Sequence, residues 1–178
     1  MIPTIVLLGL VTAQRLGELV YARANEARLK AKGAVEVGAA HYPLIVLMHA
    51  AWLLTLWAWG WNRPLNAEWT GLYVLLQVAR GWVLGSIGRR WTTRVFVLPG
   101  ETLVREGPYR LVRHPNYAVV SAEMFVLPLA VGLPWASLGF GLLNLAVLAW
   151  RIRVEERALS TLAAAPPSPS RRLASGGR

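Results

Sequence analysis

Five long apolar runs alternate with short polar stretches along the chain. They cover residues 2–21, 43–61, 69–88, 117–133 and 134–150. A helix takes about 20 mostly apolar residues to cross a bilayer, and each run is close to that length. The last two runs follow each other without a polar stretch between them, so a tight helical hairpin is expected there. The pattern predicts an all-α integral membrane protein with five transmembrane helices, a connector between the third and fourth, and a short C-terminal helix.

Composition agrees with lipid as the solvent. Hydrophobic residues make up 55% of the 178 residues and charged residues only 16%, below the roughly 25% of soluble proteins. The net charge of +10 raises the question of nucleic acid, but no nucleic-acid-binding module is recognisable. We therefore expect the bilayer and a lipophilic small molecule as partners, and no nucleic acid.

Basic residues collect on alternate sides of the apolar runs. They follow the first, third and fifth runs: Arg23, Arg28, Lys30, Lys32; Arg89, Arg90, Arg94, Arg105, Arg110, Arg113; Arg151, Arg153, Arg157, Arg171, Arg172, Arg178. Only Arg63 lies between the second and third runs, and no basic residue lies between the fourth and fifth. Cytoplasmic loops carry an excess of Lys and Arg. The count predicts that the N-terminus lies outside and the C-terminus in the cytoplasm.

The two ends of the chain and its lack of cysteine narrow the possibilities further. The first run has no basic flank and no cleavage motif, which favours a retained span over a signal peptide. From Thr161 onward the chain is Ala, Pro, Ser, Arg and Gly without an apolar period. We expect a membrane domain over residues 1–160 and a disordered tail over 161–178. Cysteine is absent, which excludes disulfides and thiolate sites, and no metal is expected.

Several ionisable or amide side chains fall inside the predicted spans, where they are costly unless paired. These are Gln14, Arg15, Glu18, His49, Arg80 and Glu123. Arg15 and Glu18 share a helix face, and an ion pair that binds this helix to the bundle is the favoured interpretation over a place in an acceptor pocket. His49 is expected to be a hydrogen-bonded structural histidine. Arg80 either points into the bundle or pairs with a neighbour.

Two motifs carry the candidate chemistry. Residues 98–117 read LPGETLVREGPYRLVRHPNY, with turn-forming Gly-Pro and His-Pro pairs just before a predicted span. A basic linker seldom combines two prolines, a histidine and two tyrosines so closely. Residues 150–159 read WRIRVEERAL, and Arg151 and Glu155 share a helix face. Spacing alone would make the second motif a surface ion pair.

Together, GPYRLVRHPNY and, one hairpin later, RxxxEExxL resemble the isoprenylcysteine carboxyl methyltransferase family over about residues 98–159. The resemblance implies an S-adenosylmethionine site in a cytoplasmic connector. The cofactor-binding residues that it implies are Glu101, Thr102, Leu103, Val104, Tyr109, His114, Pro115, Asn116, Tyr117 and Glu155. Arg151 matches an arginine that binds the methyl acceptor, and Glu123 is a second candidate for the acceptor side.

The chain departs from the family pattern in two places. Ala118, Val119 and Val120 stand where small residues usually follow the motif tyrosine. The segments 15–29, 33–42 and 94–100 resemble instead a bacterial branch that methylates hydroxyls of alkylpyrones and alkylresorcinols. The expected acceptor is therefore either a prenylcysteine-like carboxylate or an alkylpyrone hydroxyl.

The expected chemistry favours an oxygen acceptor. Methyl transfer from a sulfonium donor needs alignment and desolvation more than a strong base. Arg151 stays charged and suits an oxygen anion better than a phospholipid amine. A phospholipid N-methyltransferase is the alternative within enzymes, and a non-catalytic lipid-binding or assembly protein is the alternative outside them. A transporter is disfavoured because the five runs show no repeat symmetry.

Overall fold

Five α-helices make up most of the described part of the chain. The structure, a computed structural model, describes residues 1–39, 42–98 and 106–164, with side chains as far as residue 153. The helices are α1 (Ile2–Ala31), α2 (Tyr42–Gly60), α3 (Ala67–Ile87), α4 (Pro115–Ala130) and α5 (Pro134–Ala164). Each predicted apolar run overlaps one of these helices, so the helical assignment is confirmed, but α1 and α5 extend ten and fourteen residues beyond their runs.

Three of the helices are long and apolar enough to cross a membrane: Ile2–Ala31, Tyr42–Gly60 and the Pro134–Arg153 part of α5. Helix α3 has 21 residues but carries Glu68, Gln77 and Arg80. Helix α4 has only 16 residues, fewer than the about 20 that a perpendicular span takes. The five-span topology therefore stays a prediction for α3 and α4.

The prediction of an all-α chain is wrong in one place. Two short strands, β1 (Val35–Val37) and β2 (Val95–Val97), pair antiparallel. Each is a three-residue segment rich in β-branched or aromatic residues, which suit a pleated ladder. The segments are too short to form a helix, and pairing satisfies backbone groups that would otherwise lack partners. The sheet ties the segment after α1 to the segment after α3.

The prediction of a short C-terminal helix after the fifth span is also wrong, because α5 is continuous from Pro134 to Ala164. No glycine or proline falls between Gly141 and Ala164, so nothing breaks the helix at the membrane boundary. The helix includes the first four residues of the segment that was expected to be a disordered tail. Residues 165–178 lie outside the described part.

The expected tight hairpin between α4 and α5 is present. Gly132 adopts φ 71°, a left-handed conformation that glycine tolerates, and Pro134 begins α5. Farther along, a Cβ on Gly141 would lie 2.2 Å from the Phe125 ring. The two helices approach so closely because Gly141 has no side chain.

The core lies among all five helices and is mostly apolar. Its largest buried members include Leu8, Trp52, Leu56, Met124 and Leu127. Many large apolar side chains lie on the outer faces instead, among them Leu10, Leu47, Leu54, Leu75, Val78 and Leu138. Soluble monomers rarely expose contiguous apolar patches beyond a few hundred Å². This outer surface, together with the three long apolar helices, supports an integral membrane protein.

Candidate functional site

The connector segment 106–114 packs against the end of α3 before it enters α4. A 3₁₀ turn at Gly107–Arg110 carries Tyr109 and buries Pro108. Gly107 has φ +55°, and a Cβ there would lie 2.3 Å from the Ser86 hydroxyl on α3. The sequence places glycine at this position because both the conformation and the space require it.

An aromatic and cationic stack follows at the start of α4. His114 precedes the helix and its ring stacks on Tyr117 at a centroid distance of 5.2 Å and an interplanar angle of 11°. On the Tyr117 ring lies the guanidinium of Arg151 from α5, 5.3 Å from the centroid. Three of the residues predicted from the two motifs are therefore brought together, although 34 positions separate Tyr117 from Arg151.

Arg151 is buried, and its guanidinium bonds to a backbone carbonyl through one nitrogen. The residue is 7% exposed. Its Nη2 donates a hydrogen bond to the Thr93 carbonyl oxygen at 2.9 Å. Its Nε is buried and has no hydrogen-bond partner among the described residues. A buried donor without a partner costs about 1–3 kcal/mol, so this N–H is suited to a bound acceptor atom.

Two of the other buried polar atoms that lack partners within the described part of the chain belong to residues just after α3 and at the start of α4. They are the Asn116 Oδ1, an acceptor in the first turn of α4, and the Trp91 Nε1, a donor after α3. Unsatisfied buried groups are rare in native proteins and often mark a ligand or ordered water. Asn116 was predicted from the motif, whereas no sequence signal pointed to Trp91.

The remaining predicted cofactor residues are placed only in part. Pro115 is buried as the first residue of α4. Glu101, Thr102, Leu103 and Val104 lie outside the described residues. Glu155 lies one turn after Arg151 in the continuous α5, and its side chain is outside the described part.

Glu123 belongs to a different cluster, deeper in the bundle. It is 0% exposed, and its Oε2 accepts from Arg15 at 2.5 Å and from Arg80 at 3.0 Å. Gln77 donates to its other oxygen at 2.8 Å. Both carboxylate oxygens are thus used within the bundle, about two helical turns along α4 from the stack at its start.

The same cluster contains Glu18, which accepts from Arg80 at 2.6 Å through each of its oxygens. Arg15 donates to Glu18 at 3.2 Å, so the expected Arg15–Glu18 ion pair is present and extends to α3 and α4. Gln14 bridges Glu18 and Gln77 at 3.0 and 2.9 Å. We call these six residues, Gln14, Arg15, Glu18, Gln77, Arg80 and Glu123, the intramembrane network. Its two arginines and two glutamates balance in charge.

His49 has the structural setting that the sequence predicted. Its Nδ1 lies 2.9 Å from the Ile45 carbonyl of the preceding turn of α2. Within the described residues, no group of three or more His, Asp or Glu side chains is placed to hold a metal ion.

Comparison with known proteins decides the family. The sequence profile of the isoprenylcysteine carboxyl methyltransferase (ICMT) family matches residues 69–161, which is more than half of the chain. The chain belongs to the ICMT family. The matched region runs from α3 to α5 and includes His114, Tyr117 and Arg151. Family membership indicates a membrane methyltransferase.

Two bacterial relatives match more of the chain than the family profile does. YpbQ, an uncharacterised protein of Bacillus subtilis strain 168, is 38% identical over 158 residues, which cover 86% of this chain and 94% of that protein. An uncharacterised Haemophilus influenzae protein is 28% identical over 144 residues, 78% of this chain and 84% of its own length. No solved structure is a significant match. The similarity to the Bacillus protein therefore includes residues that precede the family match, which begins at residue 69.

Proposed function

We propose that this ICMT-family protein is an S-adenosylmethionine-dependent O-methyltransferase that acts on a lipophilic acceptor. The acceptor is the carboxylate of a prenylcysteine-like molecule or the hydroxyl of an alkylpyrone. One observation carries the proposal: Arg151 is buried against Tyr117 beside the motif histidine, and its Nε has no partner among the described residues.

The residues at the connector fit the cofactor. S-adenosylmethionine supplies an electrophilic methyl group on a sulfonium when it is bound. Tyr109, His114, Asn116 and Tyr117 would hold it, and the Asn116 Oδ1, which has no partner within residues 1–39, 42–98 and 106–153, suits one of its amino groups. A buried carbonyl oxygen is satisfied only by a donor, which this cofactor has and a simple hydrocarbon lacks.

Arg151 suits the acceptor side for an electrostatic reason. A guanidinium carries a positive charge in proteins, and it favours a negatively charged neighbour. A carboxylate or an acidic pyrone enol already loses its proton near neutral pH, so no strong base is needed. An ammonium headgroup would be disfavoured in the same place by charge repulsion. The arginine can therefore select an oxygen acceptor and hold it against the methyl donor.

A methyl-transfer assay tests the proposal. Detergent-purified protein is given S-adenosylmethionine with a labelled methyl group and three separate acceptors: N-acetyl-S-farnesylcysteine, an alkylpyrone and phosphatidylethanolamine. We expect label on an oxygen acceptor and none on phosphatidylethanolamine.

Arg151→Met and Arg153→Met form a matched pair in this assay, because Arg153 is an exposed arginine on the same helix. Loss of the charged donor at Arg151 should lower kcat/KM at least about tenfold, which corresponds to roughly 1.4 kcal/mol, and Arg153→Met should change it little. Label on the phosphatidylethanolamine amine, or equal effects of the two variants, would contradict the proposal.

A further inference from the structure

Arg151 is oriented by a backbone carbonyl that is itself held in place. Its Nη2 donates to the Thr93 oxygen at 2.9 Å while the ring of Tyr117 covers the guanidinium. Thr93 lies two residues before β2 in the segment between α3 and the connector. The position of this short segment therefore decides where one edge of the guanidinium points.

The Thr93 side chain binds two other helices. Its hydroxyl lies 3.1 Å from the Tyr42 hydroxyl at the start of α2. It also donates to Glu26 of α1 at 3.3 Å. A hydroxyl can donate one hydrogen bond and accept others, so both contacts can be made at once. Thr93 thus connects α1 and α2 to the arginine of α5.

The next residue is held as well. Arg94 donates to Glu36 of β1 at 2.7 Å, and its Nε lies 3.8 Å from Glu26. Its guanidinium is 4.3 Å from the Tyr42 ring centroid. The hydrogen bond to Glu36 raises the pKa of Arg94, which keeps this contact charged. The backbone at the Thr93 carbonyl is therefore held on both sides. The Thr93 side chain contacts α1 and α2, and the Arg94 side chain contacts β1.

We propose that Thr93, held by Glu26 and Tyr42, is a positioning residue that orients Arg151 toward the methyl acceptor. The inference rests on the proposed function for the assignment of Arg151 to the acceptor side. With Nη2 held, the buried Nε, which has no partner among the described residues, is a donor available to an acceptor oxygen. An arginine that is oriented in advance loses less conformational freedom when the acceptor binds. Thr93 therefore acts on acceptor binding and not on the cofactor.

Isosteric variants of Thr93 test this role. Thr93→Val keeps the carbonyl and the shape but removes the hydroxyl contacts to Tyr42 and Glu26, whereas Thr93→Ser keeps the hydroxyl. Using whichever of N-acetyl-S-farnesylcysteine and the alkylpyrone the wild type methylates, we expect Thr93→Val to raise the acceptor KM about three- to tenfold. The acceptor KM of Thr93→Ser should stay close to that of the wild type. Thr70→Val, which removes a hydroxyl bonded to the Asn66 carbonyl on α3, is the matched control.

A double-mutant cycle separates positioning from general stability. Residues that act through one contact show a coupling energy, whereas independent ones add. In an Arg151→Met background, Thr93→Val should therefore raise the acceptor KM no further. An equal effect in both backgrounds, or no effect of Thr93→Val on the KM, would overturn the proposal.

A spectroscopic measurement needs no acceptor. In protein with isotope-labelled arginine, the Nε–H resonance of Arg151 is identified by its absence from Arg151→Met. Thr93→Val should shift or broaden it and Thr93→Ser should leave it in place, whereas an unchanged resonance in Thr93→Val would overturn the positioning role. Binding of S-adenosylhomocysteine, measured by calorimetry on the same samples, should be equal in all Thr93 variants. A wild type that does not bind S-adenosylhomocysteine would instead contradict the proposed function.

Discussion

The residue whose surroundings explain most about the bundle is Glu123. A carboxylate is costly in an apolar interior unless it is paired and hydrogen-bonded, and Glu123 is both, through Arg15, Arg80 and Gln77. Removing one partner of a buried ion pair typically costs about 3–5 kcal/mol, since the other charges remain buried without compensation. These contacts fasten α4 to α1 and α3, whereas the acceptor chemistry is assigned to Arg151.

Glu123→Gln should therefore destabilise the protein and leave the cofactor site of the folded fraction intact. We expect a clear fall in the thermal unfolding midpoint in detergent, with the affinity for S-adenosylhomocysteine retained when unfolding is avoided at low temperature. Glu68→Gln, at an exposed glutamate in the first turn of α3, is the control and should change the midpoint little. Normal stability with loss of methyl transfer would show instead that Glu123 acts on the acceptor.

At the scale of the elements, the connector is placed by its fit against the end of α3. Gly107 lies close to Ser86 and Trp82, and the following 3₁₀ turn leads directly to His114 and α4. The elements that carry the site are thus fixed by close backbone packing on one side and by the β1–β2 sheet on the other.

Gly107→Ala should displace this turn and weaken cofactor binding. The added Cβ would lie 2.3 Å from the Ser86 hydroxyl, and a left-handed conformation costs a non-glycine residue about 1–2 kcal/mol. Calorimetry should show at least about a fivefold loss of affinity for S-adenosylhomocysteine. Gly85→Ala provides the comparison, because a Cβ there meets nothing within 4 Å. Equal affinities for both variants would show that the turn does not place the site.

The sequence predicted local features, such as helices and motifs, better than contacts between residues far apart in the chain. Apolar runs identified all five helices, and the motif residues His114, Tyr117 and Arg151 meet in the structure. The β1–β2 sheet was missed because each strand has three residues and its partner is about 60 positions away. Thr93 was missed for a related reason. It contacts Arg151 through its backbone carbonyl, and every residue type has that carbonyl, so the sequence gives no signal for the contact.

At the scale of the whole molecule, the distribution of basic residues predicts how the bundle lies in the membrane. The end of α1, the stretch after α3 and the chain from Arg151 onward hold 16 of the 19 basic residues, and the α2–α3 and α4–α5 turns hold only Arg63. Positively charged loops stay in the cytoplasm. This orientation would place the connector, Arg151 and the β1–β2 sheet on the cytoplasmic side.

Single cysteines test this orientation directly, since the chain has none of its own. Lys32→Cys and Asn62→Cys place a thiol at exposed positions after α1 and before α3. A membrane-impermeant maleimide should label Asn62→Cys in intact cells and Lys32→Cys only after the membrane is opened. The reverse pattern would invert the topology, and labelling of both in intact cells would contradict a span at α2.

We propose that S-adenosylmethionine binds at the connector, the start of α4 and the Arg151–Glu155 part of α5. The most direct test is calorimetric titration of S-adenosylhomocysteine into the detergent-purified protein, beside His114→Ala, Glu155→Ala and the exposed-site control Arg153→Met. We expect wild-type affinity on the order of micromolar, at least about tenfold weaker binding in the first two variants, and wild-type affinity in the control. A well-folded wild type that binds no S-adenosylhomocysteine would contradict the methyltransferase account.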